Sequence, residues 1–154
     1  MKTNEFGGSS LSTESIDKAK FVILPVPYDG TSSWIKGADK GPAALLEASL
    51  HLEPYDIETN SEPYKKGIFT VNPIKELSSP EKMVDAVKTN VKELLKQNKF
   101  VITLGGEHSV SIGSILAYKE KYNNISKLQI DAHADLLDEY QGSKLNHNCV
   151  MARV

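Results

Sequence analysis

The sequence predicts an α/β fold, with three layers (α/β/α) built on a mostly parallel sheet. Two observations carry that expectation. Short apolar runs alternate along the chain with stretches of helical pattern, and the clearest of these runs are stopped by proline or glycine, as buried strands are. No internal repeat or linker interrupts the alternation, so one domain, or part of one, accounts for the chain.

Taken in order, residues 1–20 are rich in Gly, Ser, Thr and charge and read as a flexible lead-in. Phe21-Val22-Ile23-Leu24, stopped by Pro25 and Pro27, is the expected first core strand. Tyr28 to Lys40 is loop-like, with Gly30, Thr31, Ser32, Ser33 and Gly37. Gly41-Pro42 then opens an Ala/Leu-rich helix to Leu50, with proline at a favoured first position. Residues 53–66 are polar connection and Ile68 to Val71 a second strand. Ser79-Pro80-Glu81 caps the clearest helix, whose apolar stripe is Met83, Val87, Val91, Leu94 and Leu95 and whose end falls near Asn98. Phe100 to Leu104 is a strand stopped by Gly105-Gly106. A helical pattern with Val110, Ile115, Leu116 and Tyr118 follows, and Leu128 to Ile130 is a further short strand.

The totals are those of an ordinary globular protein: 154 residues, 40% hydrophobic and 25% charged. Eighteen basic and 20 acidic residues are mixed along the chain, giving a net charge of −2 and no electrostatic basis for binding nucleic acid or a membrane surface. The lead-in has no apolar targeting core, and no stretch approaches the roughly 18 apolar residues of a membrane span. A cytoplasmic location is expected. The single cysteine, Cys149, has no disulfide partner in the chain, agrees with a reducing compartment and reads as a small buried hydrophobe.

The candidate chemistry falls after two of the expected strands, where open α/β sheets place their ligands. One motif is Gly105-Gly106-Glu107-His108; the other is Asp131-Ala132-His133-Ala134-Asp135. In extended backbone, side chains two apart share a side, so Asp131, His133 and Asp135 are expected to project together. Carboxylate and imidazole donors without thiolates suit manganese, zinc or iron. The same pattern also fits a solvated strand end whose carboxylates cap and pair. A buried strand delivering two carboxylates into a cleft favours the cation, because unpaired buried charge is costly. Glycine permits a sharp turn off the strand before His108, which then sits near the start of the next helix. Glu107 either caps that helix or orients His108.

These motifs, with Pro25-Val26-Pro27-Tyr28-Asp29-Gly30-Thr31, Gly37…Gly41-Pro42, Gly105-Gly106-Glu107-His108-Ser109 and Asn146-His147-Asn148, occur in the order found in the ureohydrolases. Over residues 21–154 the chain resembles the N-terminal half of a single α/β domain of that family, the arginases and agmatinases, and is most like the agmatinases. The resemblance implies an arginase-like fold, truncated after Val154, and a site for two manganese ions. His108 and Asp135 would bind one ion, His133 the other, and Asp131 would bridge them. A hydroxide held between the ions would attack a guanidinium carbon, since coordination lowers the pKa of water. His147 is similar to the family histidine beyond the metals that assists proton transfer or substrate placement; a loop histidine bonded to backbone is the plainer reading. Its Asn-His-Asn context departs from the commoner glycine-containing version.

The family site also needs a later Asp-x-Asp pair and a glutamate, neither of which can be placed in these residues. The resemblance implies hydrolysis of agmatine to putrescine and urea, with Asp138 and Glu139 suited to a cationic substrate tail, and a homo-oligomeric assembly. Arginine and other guanidino compounds are the alternatives within the family. A truncated, non-catalytic metal-binding or assembly module is the alternative of another class. A phosphoester-cleaving enzyme fits poorly, because neither G-x-x-x-x-G-K-[ST] nor G-x-G-x-x-G occurs.

Overall fold

The computed structural model describes residues 4–154. Its centre is a three-stranded parallel sheet of β1 (Phe21–Val26), β2 (Ile68–Thr70) and β3 (Phe100–Gly105), in the order β2-β1-β3. Helices α1 (Gly8–Leu11), α2 (Gly41–Ala48), α3 (Pro80–Lys96), α4 (Val110–Lys121) and α5 (Val150–Arg153) complete the elements, joined by short 3-10 turns.

β1 runs through Pro25 rather than stopping before it. Phe21 N–H donates to Gly67 O, so by the period of two the nitrogen of Pro25 also faces the β2 side. β2 has already ended at Thr70, and the missing donor therefore costs no ladder bond. As the central strand, β1 is buried on both faces. Val22, Leu24 and Val26 point toward the α3 and α4 side, while Ile23 and Pro25, which alternate with them, are also buried.

α3 begins as its sequence requires. Ser79 Oγ accepts from Lys82 N–H at 3.2 Å with proline in the first turn. It ends with Asn98 in a left-handed conformation (φ 57°), Asn98 N–H donating to Leu95 O and Lys99 N–H to Leu94 O, the paired bonds of a Schellman stop. The expected stripe of Met83, Val87, Val91, Leu94 and Leu95 is buried, joined by Val84. In α4 the buried residues are Val110, Ile112, Gly113 and Ala117, with Leu116 and Tyr118 only partly covered and Ile115 outside the core cluster, which shifts the face expected from the sequence. Gly113 sets that rotation. A Cβ there would lie 2.5 Å from Val84 O, so the two helices approach backbone to backbone at this point.

Two expectations change. Leu128 to Ile130 forms no strand: it has no ladder partner among the described residues, and Leu128 and Ile130 are 88% and 92% exposed. A three-residue extended segment has no stability without a hydrogen-bonded neighbour. The lead-in, for its part, is tied to the sheet. Thr13 N–H donates to Ile68 O, Phe6 N–H to Thr70 Oγ1 and Gly7 N–H to Ser49 Oγ. Residues 1–3 lie outside the described residues.

Candidate functional site

The turn after β3 is held against the loop after β1. Gly106 N–H donates to Val26 O and Glu107 N–H to Tyr28 O, at 3.1 and 2.9 Å. A Cβ on Gly106 would stand 1.8 Å from Tyr28 O, so only glycine lets the two loops come this close. Glu107, 7% exposed, accepts from Thr31 Oγ1 (2.8 Å), Thr31 N–H (3.3 Å), Ser109 N–H (2.8 Å) and Ser109 Oγ (2.7 Å). Beyond the two roles left open by the sequence, capping the helix or orienting His108, these bonds show Glu107 tying the two turns together.

That turn presents His108 to the second motif. His108 Nδ1 lies 2.7 Å from Asp135 Oδ2 and 3.6 Å from Asp131 Oδ2. One ligand atom from each of the three residues falls within 4.8 Å of the others. The convergence does not come from strand pleating, as the sequence suggested. Asp131 Oδ1 accepts from His133 N–H at 2.9 Å, bending the chain back on itself, and Asp135 takes a left-handed conformation (φ 49°). His133 therefore turns outward, its side chain 83% exposed, and stays outside the three-residue group. The His133 N–H bond, reinforced by the nearby His108 imidazole, holds the Asp131 carboxyl below the usual carboxylate range.

His147 opens the 3-10 turn that leads into α5. Its N–H donates to Thr31 Oγ1 at 3.0 Å, its Nε2 lies 3.4 Å from Ser33 Oγ, and the Tyr140 ring meets it edge-on. Its Nδ1 is buried with no hydrogen-bond partner among the described residues. Asp29 shapes the loop that carries Ser33. Burial opposes its charge, but bonds from the Ser32 hydroxyl, Gly37 N–H and Ala38 N–H outweigh that and hold its carboxyl below the usual range.

The arginase family model matches residues 19–154. The chain belongs to the arginase family. The N(1)-aminopropylagmatine ureohydrolase of Synechocystis is 38% identical over 143 residues, covering 88% of this chain and 47% of that protein. The agmatinase of Pyrococcus horikoshii is 35% identical, covering 94% of this chain and 50% of its own length. Among solved structures, agmatine ureohydrolase of Thermoplasma volcanium superposes with a TM-score of 0.81 at 28% identity, over 94% of this chain and 48% of that one. The formiminoglutamase of Trypanosoma cruzi, crystallised with Mn2+, shares the fold with a TM-score of 0.79 at 21% identity. The chain thus spans about half the length of the relatives it matches.

Within this arginase-family chain, sequence reasoning found the three residues that converge and missed the contacts that hold them. Thr31 and Ser33 read as loop residues in the sequence, although the Thr31 hydroxyl bridges Glu107 and the His147 N–H, and the Ser33 hydroxyl lies 3.4 Å from His147 Nε2. A Thr or Ser beside glycine is so common in turns that no local signal separates these two. Asp138 is paired with Lys144 at 3.0 Å and Arg153 at 2.6 Å, whereas neighbouring Glu139 makes no such ion pair among the described residues.

Proposed function

We propose that this chain supplies one half of a two-manganese ureohydrolase centre, and that the protein hydrolyses the guanidino group of agmatine to putrescine and urea. The observation that carries the reading is the group His108, Asp131 and Asp135 on an arginase-family fold. One imidazole nitrogen and two carboxylate oxygens form a donor set that fits a divalent ion such as manganese. His108 and Asp135 would hold one ion, Asp131 would lie between the two, and His133 would turn inward to the second. Bound there, manganese would neutralise the clustered carboxylates and acidify water.

The chain's own residues do the rest. Glu107 and the Gly106 turn fix His108, the bend at Asp131 aims its second oxygen at His108, and His147 accepts or returns a proton or orients the guanidino group. Glu139 is available to a cationic substrate tail. The names of the Pyrococcus and Thermoplasma relatives support agmatine. A second reading, N(1)-aminopropylagmatine, is favoured by the 38% identity to the Synechocystis enzyme. A cytoplasmic, homo-oligomeric protein that binds a small guanidino compound completes the proposal.

Urea release by the full-length protein, compared across agmatine, N(1)-aminopropylagmatine, guanidinobutyrate and arginine, tests it: agmatine should turn over fastest, and a preference for arginine rejects it. The 154-residue chain alone should bind manganese without releasing urea at a comparable rate. No bound metal, or no loss on His108→Ala and Asp131→Asn, would favour an assembly module.

A further inference from the structure

We propose that Glu107 is a positioning residue that registers His147 against His108, acting through the Thr31 hydroxyl. The inference deepens the reading of His147 given above and rests on it. Its starting point is how little holds the His147 ring. Among the described residues Nδ1 has no partner, and Nε2 reaches only Ser33 Oγ at 3.4 Å, beyond ordinary hydrogen-bond length. What fixes the residue is its main chain: His147 N–H donates to Thr31 Oγ1 at 3.0 Å.

Thr31 is buried, and its hydroxyl has one proton to give. That proton goes to Glu107 Oε1 at 2.8 Å, which leaves the oxygen lone pairs facing His147 N–H. The direction of the relay is therefore set by Glu107. All four groups that converge on this side chain are donors, and only a carboxylate offers acceptors to them all; an amide would set an N–H₂ against a donor whichever way it was turned. Because Glu107 precedes His108 on the turn clamped to Tyr28 O, one buried carboxylate references both histidines. His147 lies 39 residues after His108 in the sequence, yet two hydrogen bonds through Thr31 tie it to the neighbouring Glu107.

Amide hydrogen exchange of the 154-residue chain, followed residue by residue by NMR, tests the relay without requiring activity. Thr31→Val should speed exchange at His147 N–H by about tenfold, the worth of one net hydrogen bond, while Thr31→Ser should restore protection. Glu107→Gln should speed exchange at the same amide although it does not touch it. Combined with Thr31→Val it should add nothing further, since both act on one path. If the glutamine variant does not fold, Glu107→Asp, which keeps the charge but shortens the reach, takes its place. Unchanged His147 protection in Thr31→Val, or additive effects in the double variant, overturns the proposal. Manganese titration of the same variants separates the two readings: absent metal binding with an intact relay defeats the proposed function and leaves the positioning role standing.

Discussion

Two regions carry the converging residues, and they are built differently. The turn after β3 follows a strand paired with β1 in six-residue register, passes within contact of Tyr28 by virtue of Gly106, and is anchored by a carboxylate with four donors. The segment carrying Asp131 and Asp135 follows no strand, exposes Leu128 and Ile130, and is shaped by a short bend and a left-handed residue. Both reach the same point, where His108 meets Asp135. The first brings His108 on a framework that tertiary contacts enforce. The second depends on local turn chemistry, and its apolar residues are exposed.

The sharpest way to break this contrast is Gly106→Ala, whose Cβ would collide with Tyr28 O at 1.8 Å. Backbone has no rotamer with which to yield, so urea denaturation should show a loss of about 3 kcal/mol or more. Next, two apolar truncations set the regions side by side. Leu24→Ala in the buried centre of β1 should cost roughly 2–5 kcal/mol, whereas Ile130→Ser should stay within about 0.5 kcal/mol in the same chain. An equal cost at the two positions would show that residue 130 is packed in solution.

At the level of the metal, Asp135→Asn, which removes a proposed carboxylate ligand, should weaken manganese binding measured by calorimetry by at least the roughly 10- to 100-fold that loss of an outer-shell partner costs. His133→Ala should have the smaller effect in this chain, because that imidazole faces solvent. The smallest effect is spectroscopic. Burial of the phenol, aided by the Glu107 and Glu81 carboxylates, pushes Tyr28 from 10.0 up to about 12. Its protonated form is thus favoured by folding. The corresponding stability is fully present below pH 10 and is lost as pH rises through about 12, and tyrosinate absorbance should report the late titration.

Much of this protein was legible in residue order. The cap at Ser79, the stripe of α3, the apolar strands and the glycine pair before His108 each rest on a local rule, periodicity or backbone freedom, which neighbours in sequence satisfy. His108, Asp131 and Asp135 stood out because they follow expected strands and match the ordered motifs of the family the chain resembles; the residue types alone also fit a solvated strand end. What the sequence alone could not determine was anything that depends on partners distant in the chain. Pro25 continues β1 because the pairing with β2 ends at Ile23, two residues earlier, and α4 turns Ile112 inward because Gly113 lets it press on α3. Leu128 to Ile130 remains coil because no strand stands beside it. In the motif from Asp131 to Asp135 the two carboxylates meet His108 and His133 turns away, a different geometry from the alternation expected of a strand. Alternation assumes a pleated strand, and a strand exists only where a neighbour supplies its hydrogen bonds.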